Sequence, residues 1–354
     1  MSFRVRRCHL DDLEGLSNLT KQFDLLNLPS DRNRLLQKLE KSEASFRGDL
    51  DKEDSEYIFV LEELESQTII GSSLIMAKHG SEKIPHSSFE VLKKNHFSDD
   101  LGIGFIHKVL KLKINTNGPT EIGGLLVDRS YRTRPEKLGK LISLSRFLYI
   151  AQAPNRFEDN ILCEFTPPLT EQGRSEFWEA VGRRFTGLPY QEADLFSQTH
   201  KEFITSLFPE QEIYLCLLDT PARASIGRVG EQTKPAQHLL ESVGFEYLKE
   251  VDPFDGGPHY GCHKNKIEVI KSAKQMRLKE FSNPVYKEPV MISSLSPDGT
   301  DFYCISAVAD IRDDEIMIAP HQFKLIDSVL GESVLVAPFK YKKPKNKEIS
   351  HESW

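Results

Sequence analysis

Nothing in this 354-residue chain runs to about 18 consecutive apolar residues, the length a membrane-spanning helix needs. The opening segment, "MSFRVRRCHLDDLEGL", lacks the apolar stretch of a secretory signal. A basic excess is also missing. Lys and Arg number 46 against 53 Asp and Glu, a net charge of −7, which argues against a general nucleic-acid binder. Cysteine is sparse: Cys8, Cys163, Cys216, Cys262 and Cys304 are odd in number, far apart, and form neither a CxxC nor a metal-ligand spacing. Reduced thiols in a cytoplasmic protein are the expectation. No dinucleotide fingerprint, P-loop, zinc pattern or serine-hydrolase elbow is found, and no tightly bound cofactor is expected.

What is present is an ordinary folded composition, 39% hydrophobic and 28% charged, with room for two domains and a small third. Phe3 and Val5 alternate as in a strand, and Leu10, Leu13, Leu16 and Leu19 recur at helical spacing, with His9 or Asp11 placed to cap. A second helix starts after Ser30 or Asp31. "EYIFVLEELESQTIIGSSLIM" reads as two strands around a polar turn, and residues 82–107 read as polar and irregular. "EIGGLLVDRSYR" is an apolar strand ending in charge, and "LGKLISLSRFLYIAQA" is the strongest helix in the chain. "SEFWEAVGRRF" reads as one helix. From about Ala193 the pattern restarts, and the last 70 or so residues hold short strands suited to a small β-barrel-like module.

The strand "EIGGLLVDRSYR" before "PEKLGKLISLSRFL" resembles the acyl-CoA-binding turn of the acyl-CoA N-acyltransferase superfamily. Its physical logic is a splayed strand, then backbone N–H groups and a helix N-terminus facing a pyrophosphate. Read together with "YIFVLEELESQTIIG", "SRFLYIAQAPNRFEDNILCE", "GRSEFWEAVGRRF", "PAQHLLESVGFEY" and "VDPFDGGP", the chain resembles the arginine N-succinyltransferase family as a divergent member. The resemblance implies an α/β (α+β) fold. Tandem acyl-CoA N-acyltransferase-like units with mixed, mostly antiparallel sheets are joined to a small C-terminal β-barrel-like module. The expected spans are 1–190 for the first unit, 191–282 for the second, 283–342 for the β module and 343–354 for a loose tail.

It also implies transfer of a succinyl group from succinyl-CoA, a co-substrate, to the α-amine of arginine. Leu125 falls on the family's succinyl-CoA-binding strand, continued by Leu126 and Val127, and Arg132, Lys137, Gly139 and Lys140 surround the turn. The family's proposed proton donor is a histidine, and here its position is Gly230 in "IGRVGEQTKP". Phe165-Thr166-Pro167 and Lys137-Leu138-Gly139 also depart from the family's pattern. His96, Glu121 and His259 remain as catalytic candidates, and Glu164 as a substrate carboxylate able to pair with a guanidinium or ammonium. Asp252, Asp255, Gly256 and Gly257 read as turn chemistry. Two functions stay open. One is an N-acyltransferase, for arginine or another amine. The other is a non-catalytic or heteromeric member that binds acyl-CoA or a partner chain. No nucleic acid or membrane is expected as a partner, and homo- or hetero-oligomers are both compatible with the family.

Overall fold

The computed structural model describes residues 2–23, 28–29, 31–197, 202–280 and 288–341. Fifteen strands are found among them: β1 Phe3–Arg7, β2 Glu56–Glu63, β3 Thr68–Met76, β4 His86–Ser98, β5 Ile103–Asn115, β6 Thr120–Val127, β7 Asn160–Glu164, β8 Ile213–Tyr214, β9 Glu246–Val251, β10 Pro258–His263, β11 Lys274–Glu280, β12 Glu288–Leu295, β13 Phe302–Arg312, β14 Glu315–Ile318 and β15 Ser333–Pro338. The helices that matter most here are α1 Leu13–Thr20, α2 Arg32–Arg47 and α3 Leu138–Gln152. The expected tail at 343–354 lies outside the described residues.

Two compact units interleave along the chain, where the sequence suggested consecutive ones. The first holds residues 1–78, 119–161 and 263–343, and the second holds 79–118 and 162–262.

In the first unit β1, β2, β3 and β6 form an antiparallel run, with β13 on the other side of β1. α1 and α2 lay Leu13, Leu16, Leu19, Leu35 and Leu39 onto Ile58 and Val60 of β2. Asp31 caps α2 by accepting the Arg34 N–H at 2.9 Å. α3 is apolar on nearly every face, the signature of a helix with no solvent side, and packs on β3, β6, β12 and β13. The expected barrel is present. Strands β12, β15, β11, β14 and β13 run in that order, and β12–β13 pairing closes the ring. It begins at β11, earlier than residue 283, and closure removes the open edges that five short strands would otherwise expose.

The second unit strings β10, β9, β4, β5 and β8 together by antiparallel pairing, with β7 beside β10. The stretch at 82–107, expected to be irregular, is largely the β4–β5 hairpin, paired without interruption from His86↔Asn115 to Ser98↔Ile103. Its outer half is a two-stranded ribbon exposed on both faces, so the in–out hydrophobic alternation that reveals a strand is absent there. "SEFWEAVGRRF" forms two short helices, Glu176–Ala180 and Gly182–Thr186, broken at Val181. Trp178, fully buried, donates its indole N–H to Leu188 O at 2.9 Å and stacks on Phe254 with ring centroids 5.0 Å apart.

Candidate functional site

The first unit carries the strand and turn singled out for acyl-CoA. The β3–β6 register runs Ser72↔Leu126 and then Leu74↔Gly123, so Gly124 and Leu125 together answer to Ser73. That is a β-bulge: one extra residue bends the strand and locally breaks the ladder. Gly124 makes it possible, with φ of +57°, a left-handed conformation that side chains resist. Its carbonyl accepts the Ser72 hydroxyl at 3.1 Å, and the Gly123 carbonyl accepts an N–H of Arg146 at 3.2 Å.

Beyond β6 the chain turns through Asp128, whose carboxylate accepts the Ser130 N–H at 2.9 Å. Arg132 is anchored rather than free-swinging: its Nε donates to Val127 O at 3.1 Å and its guanidinium lies 4.9 Å from the Phe23 ring centre. Lys137, at φ +55°, is the residue before α3. The first backbone bonds into it come from Lys140 and Leu141, at 2.9 and 3.1 Å to Lys137 O. The N–H groups of Leu138 and Gly139 therefore stand at the positive end of a 15-residue helix. Lys140 is half-buried 5.1 Å from the Phe339 ring. Burial, with Lys137 and Lys340 adding repulsion, lowers its ammonium below the ordinary lysine value. Cations crowded at a helix N-terminus gain most from a phosphate.

The second unit holds a cluster that spacing alone does not announce. His86 opens β4, Glu164 ends β7, Asp252 follows β9, and His259 lies near the start of β10. His79 stands close by, its ring 4.6 Å from that of His86. Glu164 Oε1 is 3.1 Å from His86 Nε2 and 3.4 Å from His259 Nε2. The rings of His86 and His259 stack with centroids 5.4 Å apart. His259 is fully buried, and neither of its ring nitrogens makes a hydrogen bond.

Burial works to raise the Glu164 carboxyl, but His259, His86 and His79 outweigh it and hold it well below the usual carboxylate range. Asp252 goes the other way: burial, then the Glu164 charge, push it up to about 6 against the pull of His259. Burial lowers His259 below an ordinary histidine even beside Glu164. One Asp252 oxygen accepts the N–H groups of Phe254 and Asp255 at 2.7 and 3.1 Å, so the expected turn chemistry is there as well.

His96 is exposed on the β4–β5 hairpin and contacts the Tyr214 hydroxyl at 3.1 Å. Glu121 is buried on β6, in the first unit, whereas Glu164 belongs to the second. Gly230 is closed in. Its N–H donates to Thr166 O at 2.9 Å, and a Cβ built there would sit 2.9 Å from Pro167 O and 3.1 Å from Thr166 O. Thr166-Pro167 and Gly230, both expected to depart from the family's pattern, therefore meet in space: the one backbone occupies the room a side chain at the other would need. His79 and His86 were missed in the sequence because their partners come from segments about 80 and 170 residues further on.

Comparisons with known proteins agree on one family. A profile described as "Arginine N-succinyltransferase beta subunit" matches residues 3–269. The arginine N-succinyltransferase of Enterobacter sp. (strain 638) is 33% identical over 279 residues, covering 78% of this chain and 80% of the relative. The arginine N-succinyltransferase subunit beta of Pseudomonas aeruginosa is 30% identical over 342 residues, covering 96% and 99%. The solved structure of arginine/ornithine succinyltransferase subunit AI from Pseudomonas aeruginosa superposes with a TM-score of 0.83 at 27% identity, covering 96% of this chain and 99% of that one. Among the described residues no helix is long and apolar enough to cross a membrane. With a family profile spanning most of its length and relatives matched nearly end to end, the chain belongs to the arginine N-succinyltransferase beta subunit family.

Proposed function

We propose that this chain is an acyl-CoA-dependent N-acyltransferase that moves a succinyl group from succinyl-CoA to the α-amine of arginine. The observation that carries the reading is the bulge at Gly124–Leu125 followed by the basic turn into α3. Backbone groups of Leu125, Leu126 and Val127 hold the pantetheine arm. Lys137, Lys140 and the N–H groups at Leu138 and Gly139 take the pyrophosphate, with Arg132 bracing the turn. The amine nitrogen attacks the thioester carbonyl carbon, a backbone N–H at the bulge steadies the oxyanion, and the C–S bond breaks. The amine gives up one proton and the departing thiolate takes one. Gly230 offers no proton, so rate comes chiefly from holding the two reactants together. The names of the relatives, "beta subunit" and "subunit AI", support assembly with a second copy or a related chain.

One assay decides. The purified chain is mixed with succinyl-CoA or acetyl-CoA and a panel of amino acids, arginine and ornithine included, and free thiol is followed. Release with succinyl-CoA and arginine supports the reading, and release only with another amine moves the acceptor. The closed position of Gly230 favours one alternative, a family member that binds acyl-CoA without turning it over. Calorimetric CoA binding with no thiol release from any acceptor is its signature.

A further inference from the structure

We infer that Glu164, Asp252 and His259 form a binding site for a divalent transition metal ion of the zinc class within the second unit. Candidate ligand atoms of the three lie within 4.8 Å of one another. One spacing is tighter still: His259 Nε2 stands 3.4 Å from a Glu164 oxygen. Ligand atoms about 2.0–2.1 Å from a tetrahedral zinc ion are themselves about 3.3 Å apart. His259 supplies the independent sign. Its Nε2 is at that distance from Glu164 yet makes no aligned hydrogen bond, and the whole side chain is sealed from water. An unpaired polar group buried in this way is costly, and a cation between the imidazole and the carboxylate satisfies both.

The donor set selects the ion. Imidazoles with one or two carboxylates suit zinc and its neighbours, whereas magnesium and calcium ask for oxygen alone. About a quarter of the Glu164 side chain reaches solvent, which gives the ion a way in. The ion would tie the end of β7, the turn after β9 and the start of β10 to one point.

The inference is independent of acyl transfer, because metal binding is read directly. Tag-free full-length chain, stripped with chelator, is titrated with zinc by calorimetry and with cobalt(II) by visible absorption. One equivalent per chain is expected, with the intense visible bands of low-coordinate cobalt. His259→Gln and Glu164→Gln should each weaken binding by about 10-fold or more, given that even outer-shell losses cost about 10–100-fold. His238→Gln, an exposed histidine in the same unit, should leave it unchanged. Absence of a stoichiometric site in the wild type overturns the inference. So does weak, multi-equivalent binding indifferent to His259→Gln and Glu164→Gln. Circular dichroism confirms that each variant is folded. Should one fail, Asp252→Asn and the wild-type titration still decide.

Discussion

Each unit of the molecule buries a group of charged side chains at one place, and these two are built on opposite terms. In the first, Arg6 is almost fully buried and uses all five of its N–H donors. They reach Asp12 at 2.7 and 2.8 Å, Glu62 at 3.2 and 3.5 Å, and the Arg7 carbonyl at 3.0 Å. Burial works to raise both carboxyls, but Arg6 holds them below their ordinary values. In the second, His259 is fully buried and its ring makes no hydrogen bond, while Glu164 and Asp252 are driven to opposite sides of the carboxylate range. A closed network of this kind orders a fold. A buried group left open is where a ligand can do what the protein does not.

That contrast predicts unequal responses to mutation. Arg6→Met should be the most damaging, since it strands two buried carboxylates. A loss of about 3–5 kcal/mol is expected in urea unfolding, and a loss below 1 kcal/mol would mean the network is ornamental. Next in size comes a purely steric change in the second unit. Gly230→His puts a side chain against the 166–167 backbone and should cost about 1–3 kcal/mol, without restoring any thiol-release rate. A faster enzyme of unchanged stability would show that this backbone yields easily.

A smaller effect should show in the pH dependence. Asp252 has a folded pKa of about 6, raised from 3.8, so the folded state keeps its proton after the unfolded state has lost it. Its contribution to stability is present below about pH 4 and is lost as pH rises toward 6. Glu164, depressed, has the reverse sign: its contribution is present above 4.5 and is lost as pH falls through its folded value. Asp252→Asn keeps an oxygen for the Phe254 and Asp255 N–H groups. Its stability relative to wild type should rise between pH 4 and 6, and parallel curves would refute this. His259→Leu, in chelator, should be the mildest, within about 1 kcal/mol, because no hydrogen bond is removed. A large loss there would erase the distinction between the two clusters.

How far the sequence revealed these features follows from their range. α3 was plain because its apolar pattern is local, and the strand before it was plain because "EIGGLLV" is short and bounded. The barrel was visible as short strands, but its first member, β11, was not, because "KQMRLKE" is charged at every second or third position and reveals its apolar face only when closed. The outer half of the β4–β5 hairpin hides its strands for the same reason: with no buried face it has no alternation. Of the buried cluster, Glu164 and His259 stand out in the sequence only one at a time. Their meeting with His79, His86 and Asp252 depends on which strand ends converge, and that is set by pairing between segments far apart in sequence.

β1 also sets a schedule. Residues 3–7 pair with β2 on one side, but on the other with β13 at Val5↔Cys304 and Arg6↔Tyr303. β1 must wait about 300 residues for β13 before its second edge is covered. This very long-range contact makes slow refolding from denaturant the expected behaviour. Until β13 arrives, the β1 edge is open to any other strand, so a holding chaperone has most to protect at β1.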